Sequence, residues 1–565
     1  MKKIVLIIGV LILFLTSCTQ HKDTGRLWWE TLSGPAYQVL VYSFADSDGD
    51  GFGDLKGLIS KLDYLNDGRP ETDTDLGISM LWLSPIHPAS SYHGYDVIDF
   101  TSVSSRLGTM EDFELLVKEC KARGIHVLLD IPFNHTSPEH SWFKAMIENP
   151  GSKYGSYYQR KKEGITYGSG GMGSFYKTKA KDGTTIEYFG AFWSGMPDLN
   201  CGNPDVLKEF NTILSFWLKK GVSGFRFDAA KHIFDLNEMP AGTPVLQMNR
   251  DFWQALKKSI PKKYGDVFFI GEVLSEQMTE VAAYAPAFDS LFDFADASAM
   301  LSASGGGAAH TAFAKIVRNI SQLTKIENFT PSHLLTNHDQ DRSMSILLGK
   351  EGLSLTDGIQ TGKKDTSNSE ELKSNVLAKA KLAASLYQTL PGIPFIYYGE
   401  EIGLTGIRYE NDDISRRDAL IWDIDSPWNT SWQPSAKMPA GQNALTNSIL
   451  VQDKDETSLL NHYRGLAALR KNSAAIREGS FSRVDWAGFN TSELMSYFRS
   501  TRTEDKDGET VLVIHNTGMR NLEVPVPQGS TLYLLWSSTE GLLKNREIYT
   551  IVHISPGESL VFELR

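Results

Sequence analysis

The chain predicts an α/β fold, a (β/α)8 TIM barrel with an inserted subdomain after its third strand and a C-terminal antiparallel β-sandwich domain. Three observations predict it. Short apolar runs alternate with helical stretches between about residues 36 and 476; polar, chemistry-bearing residues gather at the C-terminal ends of those runs; and beyond Leu459 to Lys471 the pattern turns to short alternating segments.

Ile125 to Ile131 leads into Asp130-Ile131-Pro132-Phe133-Asn134-His135, and Val222 to Phe227 into Asp228-Ala229-Ala230-Lys231-His232. Val267 to Gly271 leads into Glu272, and His333 to Thr336 into Asn337-His338-Asp339. Between them, Met110 to Arg123 and Pro204 to Lys220 carry apolar residues at three and four spacing, each stopped by a glycine, Gly124 or Gly221. Residues 136–200, rich in Gly and Tyr, read as the insertion, which leaves 36–135 and 201–476 to the barrel. Residues 477–565 form the sandwich through Met495 to Arg499, Thr510 to His515, Thr531 to Leu535, Thr550 to Ile554 and Ser559 to Leu564. Residues 348–373, Ser- and Thr-containing with mixed charge, read as a surface loop on the barrel.

A length of 565 residues with 41% hydrophobic content allows a large core shared by several domains. The net charge of -12 argues against nucleic acid as a partner, since such binding relies on clustered Lys and Arg.

Side chains two apart in a strand share a face, so Arg226 and Asp228 point the same way. A neighbouring guanidinium lowers a carboxylate pKa and orients it, which suits a nucleophile; a structural ion pair has the same pattern. Glu272 follows the apolar Val267-Phe268-Phe269-Ile270, whose desolvation favours the protonated form that a proton donor needs.

These four segments, in this order, resemble the conserved regions of the α-amylase family of glycoside hydrolases. Met196-Pro197-Asp198-Leu199-Asn200 resembles a fifth motif, and Tyr92-His93-Gly94-Tyr95-Asp96 the substrate-contacting loop after the second strand. The resemblance spans about residues 35 to 565. It implies Asp228 as nucleophile, Glu272 as general acid/base and Asp339 as a third carboxylate holding sugar hydroxyls. It also implies His93, Tyr95, His135, Arg226, Lys231, His232 and His338 as substrate contacts, with Tyr95 a platform beneath the reacting ring. The activity implied is retaining endo-hydrolysis of α-1,4 bonds in starch, glycogen and maltooligosaccharides, by a monomer. Exo-acting α-glucosidases of the family, including those cutting α-1,6 bonds, usually carry Asp where this chain has Tyr92 and Asn where it has His93. A 4-α-glucanotransferase uses the same intermediate and stays open as an alternative. A non-catalytic starch-binding lipoprotein is disfavoured, because all three carboxylates are present.

In Asp46-Ser47-Asp48-Gly49-Asp50-Gly51-Phe52-Gly53-Asp54, alternate carboxylates surround a Gly-rich turn that can enclose one hard cation; a solvated acidic turn is the alternative. The twelfth position is Gly57 instead of the bidentate Glu of an EF-hand. The resemblance implies calcium here, held by Asp46, Asp48, Asp50, Asp54 and the Phe52 carbonyl, and a second site of Asn134, Asp198 and the His232 carbonyl.

Residues 1–17, with Lys2-Lys3, an apolar run from Ile4 to Leu15 and then Leu15-Thr16-Ser17-Cys18, resemble a bacterial lipoprotein signal peptide. The run is short for a bilayer span, so the expectation is an exported enzyme lipidated at Cys18 and tethered to a bacterial membrane. Cys120 and Cys201 are expected as unpaired thiols, with a disulfide between them the alternative, and are too few for a Cys metal cluster.

Overall fold

The computed structural model describes residues 26–349, 369–408, 413–423, 425–432, 448–489, 491–543 and 547–565. Cys18 and its signal segment lie outside the described residues, as does most of the loop expected at 348–373; helix Ser369–Thr389 begins within that stretch.

Eight parallel strands form the barrel: β1 (Ala36–Val39), β2 (Met80–Leu83), β3 (His126–Ile131), β6 (Gly224–Phe227), β7 (Phe268–Gly271), β8 (Ser290–Leu291), β9 (Ser332–His333) and β10 (Ile393–Tyr397). The antiparallel hairpin β4 (Ser174–Lys179) and β5 (Thr185–Gly190) belongs to the insertion. The sheet runs β8-β7-β6-β3-β2-β1-β10-β9, and a parallel bridge between Phe292 and Ser332 joins its two ends.

Strand alternation sorts the side chains. Met80, Trp82, Leu128, Phe268, Ile270 and Phe395 point into the barrel and fill it, while Leu129, Ile131, Phe225, Phe227 and Phe269 face the outer helices. The inward set continues upward as Asp130, Arg226, Asp228 and Glu272, so the register pair Asp130 and Arg226 sets polar groups directly above the apolar layers.

Helix Pro204–Lys219 shows how the outer layer is specified. The Asn203 side chain caps it, Pro204 takes the first turn and Gly221 beyond its end adopts φ 95°. Its buried face carries Val206, Phe210, Ile213, Leu214, Trp217 and Leu218. Phe210 stacks on Phe133 at 3.9 Å, and truncating such a ring to Ala costs about 3–5 kcal/mol. Thr109 and Asp112 form a capping box on helix Met110–Ala122, which Gly124 follows at φ 74°.

The N-terminal mouth is closed by residues whose role the sequence pattern did not announce. Trp28 stacks on His126 at 3.8 Å and donates from Nε1 to the Asp266 carbonyl at 3.0 Å; Trp29 packs on Phe268 at 5.2 Å.

Beyond helix Leu459–Asn472, a seven-stranded antiparallel sheet faces a two-stranded ribbon. The sheet comprises β11 (Ser480–Arg483), β12 (Leu494–Ser500), β13 (Thr510–Asn516), β15 (Leu532–Ser537), β16 (Gly541–Leu542), β17 (Ile548–Tyr549) and β19 (Ser559–Leu564); the ribbon is β14 (Leu522–Pro525) with β18 (Ile551–Ile554). Leu512, Ile514, Leu532 and Phe562 meet Val524, Val552 and Ile554 in the core between them. The sandwich is therefore unequal, with one face reduced to a ribbon. Cys120 and Cys201 are both buried and free.

Candidate active site

Arg226 organises the top of the barrel. It is fully buried, and Nη1 donates to Asp130 Oδ1 at 2.8 Å and to Asp228 Oδ1 at 2.6 Å, while Nη2 forms an ion pair with Glu272 Oε1 at 3.0 Å. One guanidinium thus gathers three carboxylates from three adjacent strands, the shared, fixed geometry that arginine's planar fork favours.

Asp228 does not end with the lowered pKa that its neighbouring cation suggests. Burial pushes it up to about 6, with Asp130 and Asp339 adding to the rise, and Arg226 only partly opposes them. Glu272 is pushed up to about 7, first by burial and then by Asp228 and Asp339, against Arg226. For Asp339, burial also works against ionisation, but His338, Arg417 and Arg226 outweigh it and hold the carboxyl below its usual range. Neighbouring acids held in different protonation environments are a functional-site signature.

The junction after Asp228 is strained. Ala229 adopts φ 47°, a left-handed conformation that costs a non-glycine residue roughly 1–2 kcal/mol. The turn points its N–H at Glu272 Oε2, 3.1 Å away.

Tyr95 lies flat against His338 with 6° between the rings, and its hydroxyl donates to Asp130 Oδ2 at 2.9 Å. Gln38 Nε2 donates to His338 Nδ1 at 2.8 Å, which leaves the ring proton on Nε2, facing the Tyr95 hydroxyl and Asp339 Oδ2. Burial lowers the pKa of both His338 and His135 to about 3, so both imidazoles are neutral near pH 7.

The cleft above these groups has a volume of about 1030 Å³ and brings His93, Tyr95, His135, Asp228, Glu272 and Asp339 together. Phe192, Trp193 and Met196 of the insertion form one wall, with Trp193 half exposed at 51%. Arg226 and His338 lie beneath, supporting the lining residues. Lys231 and His232 are outside this lining: Lys231 Nζ donates to the Leu274 carbonyl at 2.8 Å and pairs with Glu280, and His232 Nδ1 meets Asp235 at 2.9 Å.

Arg417, Arg408 and Asp413 also line the cleft and were not anticipated from the sequence. Arg417 Nη2 donates to Asp339 Oδ1 at 2.8 Å and Nη1 to the Tyr92 hydroxyl at 2.9 Å. The adjacent arginines in Ser415-Arg416-Arg417-Asp418 were the available signal, but they sit in an irregular segment without spacing to interpret.

Asp46, Asp48 and Asp50 each bring a carboxylate oxygen within 4.8 Å of the others, and Gly49 and Gly51 at φ 82° and 94° supply the turn. These hard oxygen donors fit a calcium ion. Asp54 faces elsewhere, accepting from Ser47 N and, as helix cap, from Gly57 N, both at 2.8 Å. Asn134 Nδ2 donates to Asp198 Oδ2 at 3.1 Å and to the His232 carbonyl, so the second set of proposed ligands meets through direct hydrogen bonds.

The sequence profile described as the alpha-amylase catalytic domain matches residues 38–479. The chain is 33% identical to alpha-amylase 3 of Dictyoglomus thermophilum over 548 residues, covering 95% of each chain. It is 26% identical to an oligo-1,6-glucosidase of Bacillus cereus, covering 96% of this chain and all of that protein. The crystal structure of the α-amylase from H. orenii aligns with a TM-score of 0.75 at 34% identity, over 94% of this chain and 99% of that one. With a catalytic-domain match over most of its length and a strand-end carboxylate cluster lining its cleft, this chain belongs to the α-amylase family of glycoside hydrolases, enzymes that act on α-glucans.

Proposed function

We propose that the enzyme is a retaining, endo-acting α-amylase cutting α-1,4 bonds in starch, glycogen and maltooligosaccharides. The observation that carries this reading is the Arg226 fork, which holds Asp228 and Glu272 together while their environments differ. Double displacement needs two carboxyls about 5–5.5 Å apart, without room for a water between them. Asp228 attacks the anomeric carbon as the glycosidic C–O bond breaks, and the departing oxygen takes the proton of Glu272. Glu272, now a base, deprotonates the water that opens the glycosyl ester and regains its acid form. Asp339, held ionised, accepts hydrogen bonds from sugar hydroxyls, and His93, Tyr95 and His135 complete the bed of the reacting ring. Lys231, held on the carbonyl of the cleft-lining Leu274, would reach sugar units beyond the cleavage point. Calcium held by Asp46, Asp48, Asp50 and the Phe52 carbonyl would brace the loop after β1, with Asp54 anchoring that loop through Ser47 and the helix cap; Asn134, Asp198 and the His232 carbonyl offer a second site.

The aromatic wall of Phe192 and Trp193 supports long-chain binding, since exposed rings stack on sugar faces. One observation favours the exo-glucosidase alternative: the Tyr92–Arg417 hydrogen bond spans polar groups beside Asp339, where a chain end could be received. Maltoheptaose blocked at its non-reducing end separates the two. An α-amylase cleaves it and collapses the iodine colour of amylose early; glucose as the sole early product, with the blocked substrate intact, overturns the endo reading.

A further inference from the structure

Three ligand atoms face one another behind the barrel wall, away from the cleft. Asp293 follows β8, Asp296 lies in the first turn of helix Phe294–Ser304, and His333 ends β9; all three residues are wholly buried. One candidate ligand atom from each lies within 4.8 Å of the other two.

The outer bonds of this cluster are already made. Asp293 Oδ1 accepts from the Asp296 amide at 3.0 Å as a helix cap, and Asp296 Oδ1 accepts from Asn319 Nδ2 at 2.6 Å. His333 Nε2 faces the Pro391 carbonyl at 3.0 Å, and because a carbonyl only accepts, the ring proton sits on Nε2. His333 Nδ1 is therefore a bare lone pair, aimed at Asp293 Oδ2 3.5 Å away. With both carboxyls ionised, Asp293 Oδ2, Asp296 Oδ2 and His333 Nδ1 all lack a hydrogen-bond partner, and a proton shared between the two carboxyls would still leave His333 Nδ1 without one. Three buried acceptors cannot satisfy one another. A single carboxylic proton would satisfy only one donor–acceptor pair, and an unmet buried acceptor costs about 1–3 kcal/mol.

Nearby cations do not resolve the mismatch. Arg470 and Arg499 donate to the backbone carbonyls of Gly392, Thr389 and Gly479, Lys315 pairs with Glu276, and among the described residues none of the three forms an ion pair with either carboxylate.

We propose that Asp293, Asp296 and His333 bind a structural divalent transition-metal ion of the zinc class. One imidazole nitrogen with two carboxylate oxygens suits zinc or manganese better than calcium or magnesium, which prefer all-oxygen shells. The Pro391 carbonyl on the imidazole N–H and the Asn319 amide on the carboxylate hold these groups in the way metal ligands are usually oriented. The ion would join the two shortest strands of the barrel, each of two residues, at the seam where Asp293 N donates to the Ser332 carbonyl at 2.9 Å.

The test is metal analysis of untagged full-length protein expressed with added zinc and manganese and purified without chelator. About one equivalent of zinc or manganese is expected, retained in Asp48→Ala/Asp50→Ala and lost in His333→Gln and Asp293→Asn. Wild-type protein without stoichiometric transition metal overturns the proposal, as does a folded His333→Gln variant that keeps its ion. If both variants fail to fold, X-ray absorption of wild type grown in cobalt decides: a bound ion with one imidazole nitrogen among light donors supports the site. Absence of bound cobalt, or an all-oxygen shell, overturns it.

Discussion

Arg417 and Asp339 are joined by a charge-assisted hydrogen bond of 2.8 Å, and the same guanidinium donates to the carbonyl of His338 at 3.1 Å. Asp339 thus has its orientation and its charge set from a segment distant in sequence.

Replacing Arg417 by Ala should lower kcat/KM by about 10²–10³-fold, the usual loss for one preorganised electrostatic contact. Arg417→Lys should recover little, because an ammonium lacks the planar fork. Arg417 helps to hold the Asp339 pKa down, so its loss raises that pKa and the deficit widens as pH falls from 7 to 5. A deficit constant with pH would contradict the assignment.

Asp228 near 6 and Glu272 near 7 predict a narrow bell in kcat/KM against pH, with apparent limbs belonging to the coupled pair. Asp228→Asn and Glu272→Gln should each cost about 10³-fold or more, since nucleophile or acid is lost. Early proton NMR should show the α-anomer of the product.

The raised pKa of Glu272 also affects stability. Unfolded, it ionises near 4.5; folded, only near 7, so between these values the unfolded state sheds a proton that the folded state keeps. Stability therefore falls as pH rises through this window. Glu272→Gln lacks that loss and should melt above wild type at pH 8 but level with it at pH 4, as followed by calorimetry.

Chelation should lower the melting temperature by several degrees, because an ion bound only by the folded loop stabilises it by mass action. Asp48→Ala/Asp50→Ala should melt below wild type in calcium and lose most of the calcium response. A variant that keeps the full calcium-dependent shift would remove the loop as its source.

The mature chain should begin at a lipidated Cys18 and sediment with membranes, while Cys18→Ser should yield protein with no lipid mass. Mass spectrometry of the N-terminal peptide reads both outcomes.

The barrel and its carboxylates were legible because each depends on local pattern. Apolar runs ending in Asp228, Glu272 and Asp339 announce both a strand and the group at its end. The apolar run His333 to Thr336 before Asp339 pairs as a strand only over Ser332–His333, beside a β8 that is equally short. Arg417 was not legible, because its partners lie far off in sequence. Nor was the Asp228 pKa, which depends on how many acids share one cation and on how completely they are buried. The small strands β14, β16 and β17 escaped for a related reason: two to four residues hold too little alternation to distinguish a strand from a loop.

Trp28 and Trp29 seal the mouth of the barrel opposite the carboxylates, so a lipid on Cys18, if the proposed anchor is present, would attach on the sealed side. Between a lipid on Cys18 and Arg26, which pairs with Glu478 on the domain, the backbone reaches at most about 28 Å at roughly 3.5 Å per residue. A catalytic domain on so short a leash, attached by its sealed end, would turn its cleft outward. Polysaccharide too large to approach the lipid headgroups could still enter, and the tether would set height and aspect as well as address.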